Sequence, residues 1–239
     1  MNPFPNLSRA AVVLIASVVF LISGASAQTL EFDYNFRNGA LGWIGDFASY
    51  PPATNTSGFY QLESGIRFGP RKLTRVPTRT FYIQGANHSA SLIMFLKRRL
   101  TAADGIVAGR TYRAEFAVTA ASNAATGCVG IGSPPGEGVH LRAGTTNVEP
   151  VPVLHQNGDL ELNINFETMT AEAGNIANGL DCEIAYPHFP FVYIQRPAEY
   201  ATVTATQNGD LWLLVGTRSG YEGFTPLYYQ RIKVRLIPV

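Results

Sequence analysis

The residues best equipped for chemistry crowd into two stretches of the chain. Arg218, Tyr221, Glu222 and Tyr228 lie close together near the C-terminus. A tyrosine ring offers a flat π-face for stacking on the C–H surface of a sugar or on a protein partner, and Arg and Glu supply directional hydrogen bonds. Glu137 and His140 stand at the end of the second stretch, residues 127–139 (GCVGIGSPPGEGV). Its glycines and prolines read as a tight, close-packed turn between two strands. A phosphate cradle would need a helix N-terminus directly after the turn, and Val139-His140-Leu141-Arg142 continues instead as strand. These six residues form the expected ligand-binding set. Trp212 reads as core, and Tyr221 suits either the core or the surface.

Other chemistries find less support. The chain has no Gly-x-Ser-x-Gly elbow, His-Glu-x-x-His, P-loop or dinucleotide fingerprint. Its histidines, His88, His140, His155 and His188, are scattered over separate segments, so no metal and no cofactor is expected. Glycoside cleavage needs two carboxyl groups roughly 5–10 Å apart. Glu161 with Glu137, or Glu183 with Asp181, can be invoked for it, as can many pairs in any β-protein; Glu161 also reads simply as a solvated strand residue. Asn55-Thr56-Ser57 and Asn87-His88-Ser89 fit the acceptor pattern for N-linked glycans, which matters in a eukaryotic host.

The elements that must position these side chains are strands. Leu30, Phe32, Tyr34 and Phe36 alternate with polar residues, as do Tyr112, Ala114, Phe116 and Val118, then Leu160, Leu162, Ile164 and Phe166, and finally Ile232, Val234 and Leu236. A period of two marks a strand with one buried and one wet face. Residues 92–96 and 211–215 are apolar on both faces and read as central strands covered on both sides; the second is expected to end at Gly216, opening a loop that carries Arg218 and Tyr221. Asn38-Gly39, Pro51-Pro52, Asn157-Gly158 and Asn208-Gly209 punctuate the strands as turns. Only residues 169–177 suggest a helix, and a short one. Residues 167–199 form the least regular stretch, of a length that is usually functional or poorly ordered. The expected fold class is all-β: an antiparallel β-sandwich of jelly-roll type.

The N-terminus sets the compartment. A short polar start with Arg9 precedes a twelve-residue apolar run at 11–22, and Ala25-Ser26-Ala27 follows as a small-x-small cleavage site. That is the layout of a secretory signal, and the run is shorter than the about 20 residues a spanning helix needs. The expected organisation is a signal peptide over 1–27 and one β-sandwich domain over 28–239, secreted or periplasmic, with no membrane association after cleavage. Loss of the leader removes Arg9 and leaves 17 basic and 17 acidic residues. Such a balance gives no long-range attraction for nucleic acid. Cys128 and Cys182 are the only cysteines. In an oxidising compartment they are expected to form a disulfide, whereas a closed zinc site wants four Cys or His ligands.

Three segments carry a resemblance. Gly85-Ala86-Asn87-His88-Ser89 leading into Met94-Phe95-Leu96-Lys97, then Gly130-Ile131-Gly132 with Pro135-Gly136-Glu137-Gly138-Val139, and Leu211-Trp212 through Gly223 together resemble an uncharacterised family of exported bacterial β-sandwich proteins. The strand pattern is also loosely similar to carbohydrate-binding modules of the jelly-roll, galactose-binding-like type. The export signal, the sandwich pattern and the aromatic and polar loops around Tyr221 together suggest an exported, non-catalytic binding protein whose partner is a polysaccharide or an envelope protein; the alternatives are a structural or protein-interaction component of the cell envelope and a glycan-active enzyme. The discriminating observation is whether Trp43, Trp212, Tyr221, Tyr228 and Tyr229 are clustered and exposed.

Overall fold

The structure, a computed structural model, describes residues 28–239 except 56–57, 72, 74–75 and 89–90. The leader expected over 1–27 lies outside the described residues. The alternating segments are strands, because a period-two chain can bury one face while its backbone groups pair sideways. In chain order they are β1 (Leu30–Asn35), β2 (Ile44–Ala48), β3 (Glu63–Phe68), β4 (Arg79–Ala86), β5 (Ile93–Leu100), β6 (Thr111–Ser122), β7 (Val139–Thr146), β8 (Pro152–Leu154), β9 (Leu160–Leu162), β10 (Thr170–Asn175), β11 (Val192–Thr204), β12 (Leu211–Ser219) and β13 (Phe224–Pro238). The single α-helical turn among the described residues is α1 (Cys182–Ala185). No helix among them is long and apolar enough to cross a membrane.

Two antiparallel sheets carry the fold. Sheet A has the order β11-β6-β13-β4-β3, and sheet B the order β10-β7-β12-β5-β2. The long strand β13 organises sheet A. Along one edge it pairs with β6 from Leu227 to Pro238; along the other, β4 takes Phe224–Tyr229 and β1 takes Arg231–Leu236. Set side by side, the two orders put most strands that follow one another in sequence into opposite layers, the β3–β4 hairpin of sheet A excepted, and β2 with β3, β4 with β5, β6 with β7 and β10 with β11 are in direct contact. This winding between layers is that of a jelly roll, the expected fold class.

The inner faces of both sheets make one core, including Tyr34, Phe36, Trp43, Phe81, Leu96, Tyr112, Phe116, Leu141, Leu213, Tyr229 and Val234. A second, smaller cluster lies on the outer face of sheet B: Ile93, Phe95 and Leu214 pack under Leu162, Ile164 and Phe166. Strands β5 and β12 are therefore greasy on both faces for the reason expected, a cover on each side.

The structure corrects three expectations. Residues 169–177 are not helical: Thr170–Asn175 is an edge strand on β7, with Ala171 and Ala173 turned to the core, a bulge before Gly174, and Gly174 at a φ of +119° that no helix accepts. Tertiary pairing overrides the helix propensity of its alanines and glutamate. The alternation at 160–166 is a strand only over Leu160–Leu162. Beyond it, Asn165 Oδ1 accepts the amides of Glu167 and Thr168, at 3.0 and 3.1 Å, and turns the chain; the apolar side chains still face the sheet. Strand β12 runs past Gly216 to Ser219 because Arg218 and Ser219 keep their ladder partners on β7, which takes Arg218 out of the expected loop.

Candidate functional site

Three loops meet at one end of the sandwich. They are residues 123–138 between β6 and β7, residues 176–191 between β10 and β11, and residues 220–223 between β12 and β13. The Cys128–Cys182 disulfide joins the first two across a separation of 54 residues. Around it the Thr126 amide donates to Leu180 O at 2.7 Å and the Cys182 amide donates to Thr126 O at 3.0 Å. The Asn178 side chain donates to Ser122 O and Pro190 O, drawing the second loop back onto sheet A. Between these loops lies a cleft of about 290 Å³ whose walls include Tyr221, Phe189, Phe224, Asn123, Thr225 and the disulfide itself. Phe224 is 45% exposed at its edge.

Tyr221 is held in that cleft by glycines. A Cβ on Gly130 would stand 2.7 Å from the Tyr221 ring, and one on Gly223 would collide with the ring near its hydroxyl. The ring thus occupies the space two side chains would fill, which gives these glycines a packing role across loops. Its backbone is fixed as well: Asn87 Nδ2 donates to Ser219 O at 3.1 Å and Tyr221 O at 2.9 Å, and Ser219 Oγ donates to Tyr221 O at 2.7 Å. The neighbouring Glu222 amide donates to Ile131 O at 2.8 Å, so the C-terminal loop rests on the glycine-rich one. Glu137 Oε1 accepts the Gly127 amide at 2.9 Å and closes the glycine-rich loop on itself.

The cleft continues onto the outer face of sheet A. Phe224, Pro226 and Tyr228 share that face of β13, since Leu227 and Tyr229 face the core. Tyr228 lies 4.6 Å from Tyr82, ring centre to ring centre, and meets Phe191 edge-on at 5.2 Å. The Arg67 guanidinium covers Tyr82 at 4.7 Å. Burial, with the Tyr228 phenol beside it, pushes the Tyr82 hydroxyl up to about 12.

Arg218 and His140 sit elsewhere. They are direct cross-strand partners on the outer face of sheet B. His140 Nδ1 pairs with Glu172 at 2.8 Å and Arg218 with Glu167 at 2.5 Å. Beside them is a hollow of about 170 Å³ that holds Glu161, Glu167 and Arg218. Ser49 Oγ donates to Glu161 at 2.6 Å, so both carboxylates in this hollow are engaged. Asp181 and Glu183 do not flank a cleft together: Asp181 Oδ1 caps α1 through the Glu183 amide at 2.8 Å.

The six expected ligand-binding residues are therefore distributed. Tyr221, Glu222 and Glu137 belong to the loop end, Tyr228 to the face of sheet A below it, and Arg218 and His140 to the outside of sheet B. Of the five rings singled out, Trp43 and Tyr229 are buried, and Trp212, Tyr221 and Tyr228 are half-buried on three different surfaces. Among the described residues no group of three His, Cys, Asp or Glu side chains gathers to hold a metal ion. Sequence reasoning missed Asn87 as a positioning residue. It appeared only within a glycan-acceptor triplet, yet the side chain is 1% exposed and its amide is spent on two carbonyls. Thr56 and Ser57 of the other triplet lie outside the described residues.

No family model matches the chain, and no curated protein matches it. Solved structures similar to it include TmCBM61 in complex with β-1,4-galactotriose, at 10% identity and a TM-score of 0.39, over 83% of this chain and 92% of that one. The K1 cleaved adhesin domain of Lys-gingipain from Porphyromonas gingivalis W83 aligns at 9% identity and a TM-score of 0.41, over 85% and 96%. A Stig cyclase, Fisc, from Fischerella sp. TAU aligns at 12% identity and a TM-score of 0.35, over 87% and 90%.

Proposed function

We propose that the protein is an exported, non-catalytic binding protein that recognises a glycan at the loop end of the sandwich. The observation that carries this reading is the Tyr221 cleft. An aromatic ring, wedged between two glycines and anchored by a buried amide, faces an opening flanked by Phe189, Phe224, Asn123 and Thr225. Fixed rings beside amide and hydroxyl groups match a sugar, which presents C–H faces and hydroxyl edges together. Export as one domain over 28–239, after removal of 1–27, accords with a disulfide that belongs to an oxidising compartment.

The test is affinity electrophoresis of the purified protein through gels containing a panel of polysaccharides. Retardation by at least one of them, reduced by Tyr221→Ala and largely kept by Tyr221→Phe, is the expected result. Free migration through every gel would overturn the reading. A second reading, docking of an envelope protein, draws support from exposed apolar side chains on the two disulfide-linked loops: Val129 is 98% exposed, Ile184 80% and Tyr186 71%. A stable partner co-purifying with the protein, and lost on Val129→Ser with Ile184→Ser, would favour it.

A further inference from the structure

The outer face of sheet A is a register of named rows. Tyr193, Ala121, Tyr228 and Tyr82 lie abreast on β11, β6, β13 and β4. Further along the same face come Gln195, Thr119 and Arg231, then Pro197, Ala117, Lys233 and Asp33. Small side chains on β6 leave a depression between taller ones on β11 and β13. That hollow measures about 340 Å³ and is lined by Thr119, Gln195, Pro197, Arg196, Arg231 and Lys233 over the β6 backbone, with no carboxylate among its walls.

The charges in it are unevenly met. Arg231 is paired, through two nitrogens, with Asp33. Asp33 is also the register neighbour of Lys233, so the better-placed guanidinium takes the carboxylate directly opposite Lys233, while Glu31 and Glu115, further along the same face, pair with Arg235. Among the described residues Lys233 makes no ion pair or hydrogen bond, and it is exposed. Arg196 donates to Asn175 O at 2.7 Å, Ala177 O at 2.8 Å and Gln195 O at 3.1 Å. Arg196 stands between Gln195 and Pro197 in β11, so its side chain turns from the outer face toward the end of β10 and adds no charge to the hollow. The hollow thus presents one cation without an ion pair, Lys233, beside the Thr119 hydroxyl and the Gln195 amide, two rows from the rings of Tyr193 and Tyr228.

We propose that this hollow is an anion-reading subsite for an acidic glycan, one whose sugar units carry carboxylate groups, with adjoining sugar rings lying against Tyr228 and Tyr193 toward the loop-end cleft. The inference rests on the glycan reading above and narrows it to uronate-bearing chains. A carboxylate seated over Ala117 accepts from Lys233 Nζ, and the neighbouring sugar hydroxyls meet Thr119 and Gln195. Tyr228 and Lys233 are about 13 Å apart along the strand once the bulge between Tyr229 and Arg231 is allowed for, so a single chain reaches both.

The experiment compares polygalacturonate with the same polymer after methyl esterification, which keeps the backbone and removes the charge. Affinity for the purified protein is measured at low and high sodium chloride. The expected result is about tenfold tighter binding of the acidic form, the scale of one charge-assisted hydrogen bond, with the difference shrinking as salt rises. Lys233→Glu and Lys233→Gln should abolish the preference for the acidic form. Equal affinity for the two forms, or a preference that survives both substitutions, overturns the anion subsite and leaves the glycan reading standing. Failure of the protein to bind either polymer, together with retention by polyglutamate, overturns both, since the occupant would then be an acidic peptide.

Discussion

Asn87 Nδ2 donates to the carbonyl of Tyr221 at 2.9 Å, joining residues 134 positions apart. The same amide also reaches Ser219, and Asn87 Oδ1 accepts from the Leu92 amide at 3.4 Å. One buried side chain therefore ties the β4–β5 connection to the β12–β13 loop that presents the cleft tyrosine. Asn87→Ala would leave two carbonyls without this donor in a buried place, at a cost of about 1–3 kcal/mol. Urea denaturation should register that loss, and affinity gels should register weaker glycan retention. Expression in a glycosylating host adds a further check: intact-mass measurement should find residue 87 unmodified.

Gly223→Ala separates the pose of the Tyr221 ring from its chemistry. The new methyl meets the ring itself rather than backbone, so the ring swings out of the cleft. Glycan retention should fall toward that of Tyr221→Ala while the tyrosine is still present. Near-wild-type affinity in Gly223→Ala would show that ligand does not touch this ring.

Replacing both Cys128 and Cys182 by Ala removes a cross-link over 54 residues. In the chain-entropy account that is about 4 kcal/mol of stability, readable as a lower denaturation midpoint. Because the bond also lines the cleft, binding should weaken more than in a surface variant of equal stability.

Asp33→Asn tests the competition for cations on sheet A. The Asp33 carboxyl lies below its ordinary value, chiefly because Arg231 hydrogen-bonds it, with the Lys233 charge helping. A depressed carboxylate stabilises the fold above the ordinary carboxylate range, and that contribution fades as pH falls through the lowered value. The stability difference between wild type and Asp33→Asn should therefore be present at about pH 7 and shrink as pH falls below the ordinary carboxylate value of about 4. The freed Arg231 should strengthen binding of polygalacturonate and leave the esterified polymer unaffected.

Tyr228→Ala removes the ring that lies on Tyr82 and Phe191. Tyr82 then gains water and loses the phenol that raises its pKa alongside burial. A spectrophotometric alkaline titration should show one tyrosine moving down from about 12, and polysaccharide retention should weaken.

Much of the fold was legible in the sequence because period-two alternation is a local property. A strand such as β6 announces its buried face residue by residue, and the doubly greasy runs at β5 and β12 announced covers on both sides. Two cysteines allow one intramolecular pairing, so Cys128 with Cys182 needed no geometry. Local signals failed where partners decide: the helix-prone 169–177 became an edge strand because β7 offered it backbone partners, and Arg218 stayed in β12 because His140 stood opposite it.

The sequence by itself determined the layered all-β class, the facing of most strands and the disulfide. Only the tertiary structure decided which side chains share a surface. It parted Arg218 from Tyr221, although they are neighbours in sequence, and brought Asn87 to Tyr221 and Lys233 to the hollow beside Thr119 and Gln195. The physical reason is that alternation fixes a side chain's face within its own strand, while the register between strands far apart in sequence is set by packing across two sheets, which no local pattern records.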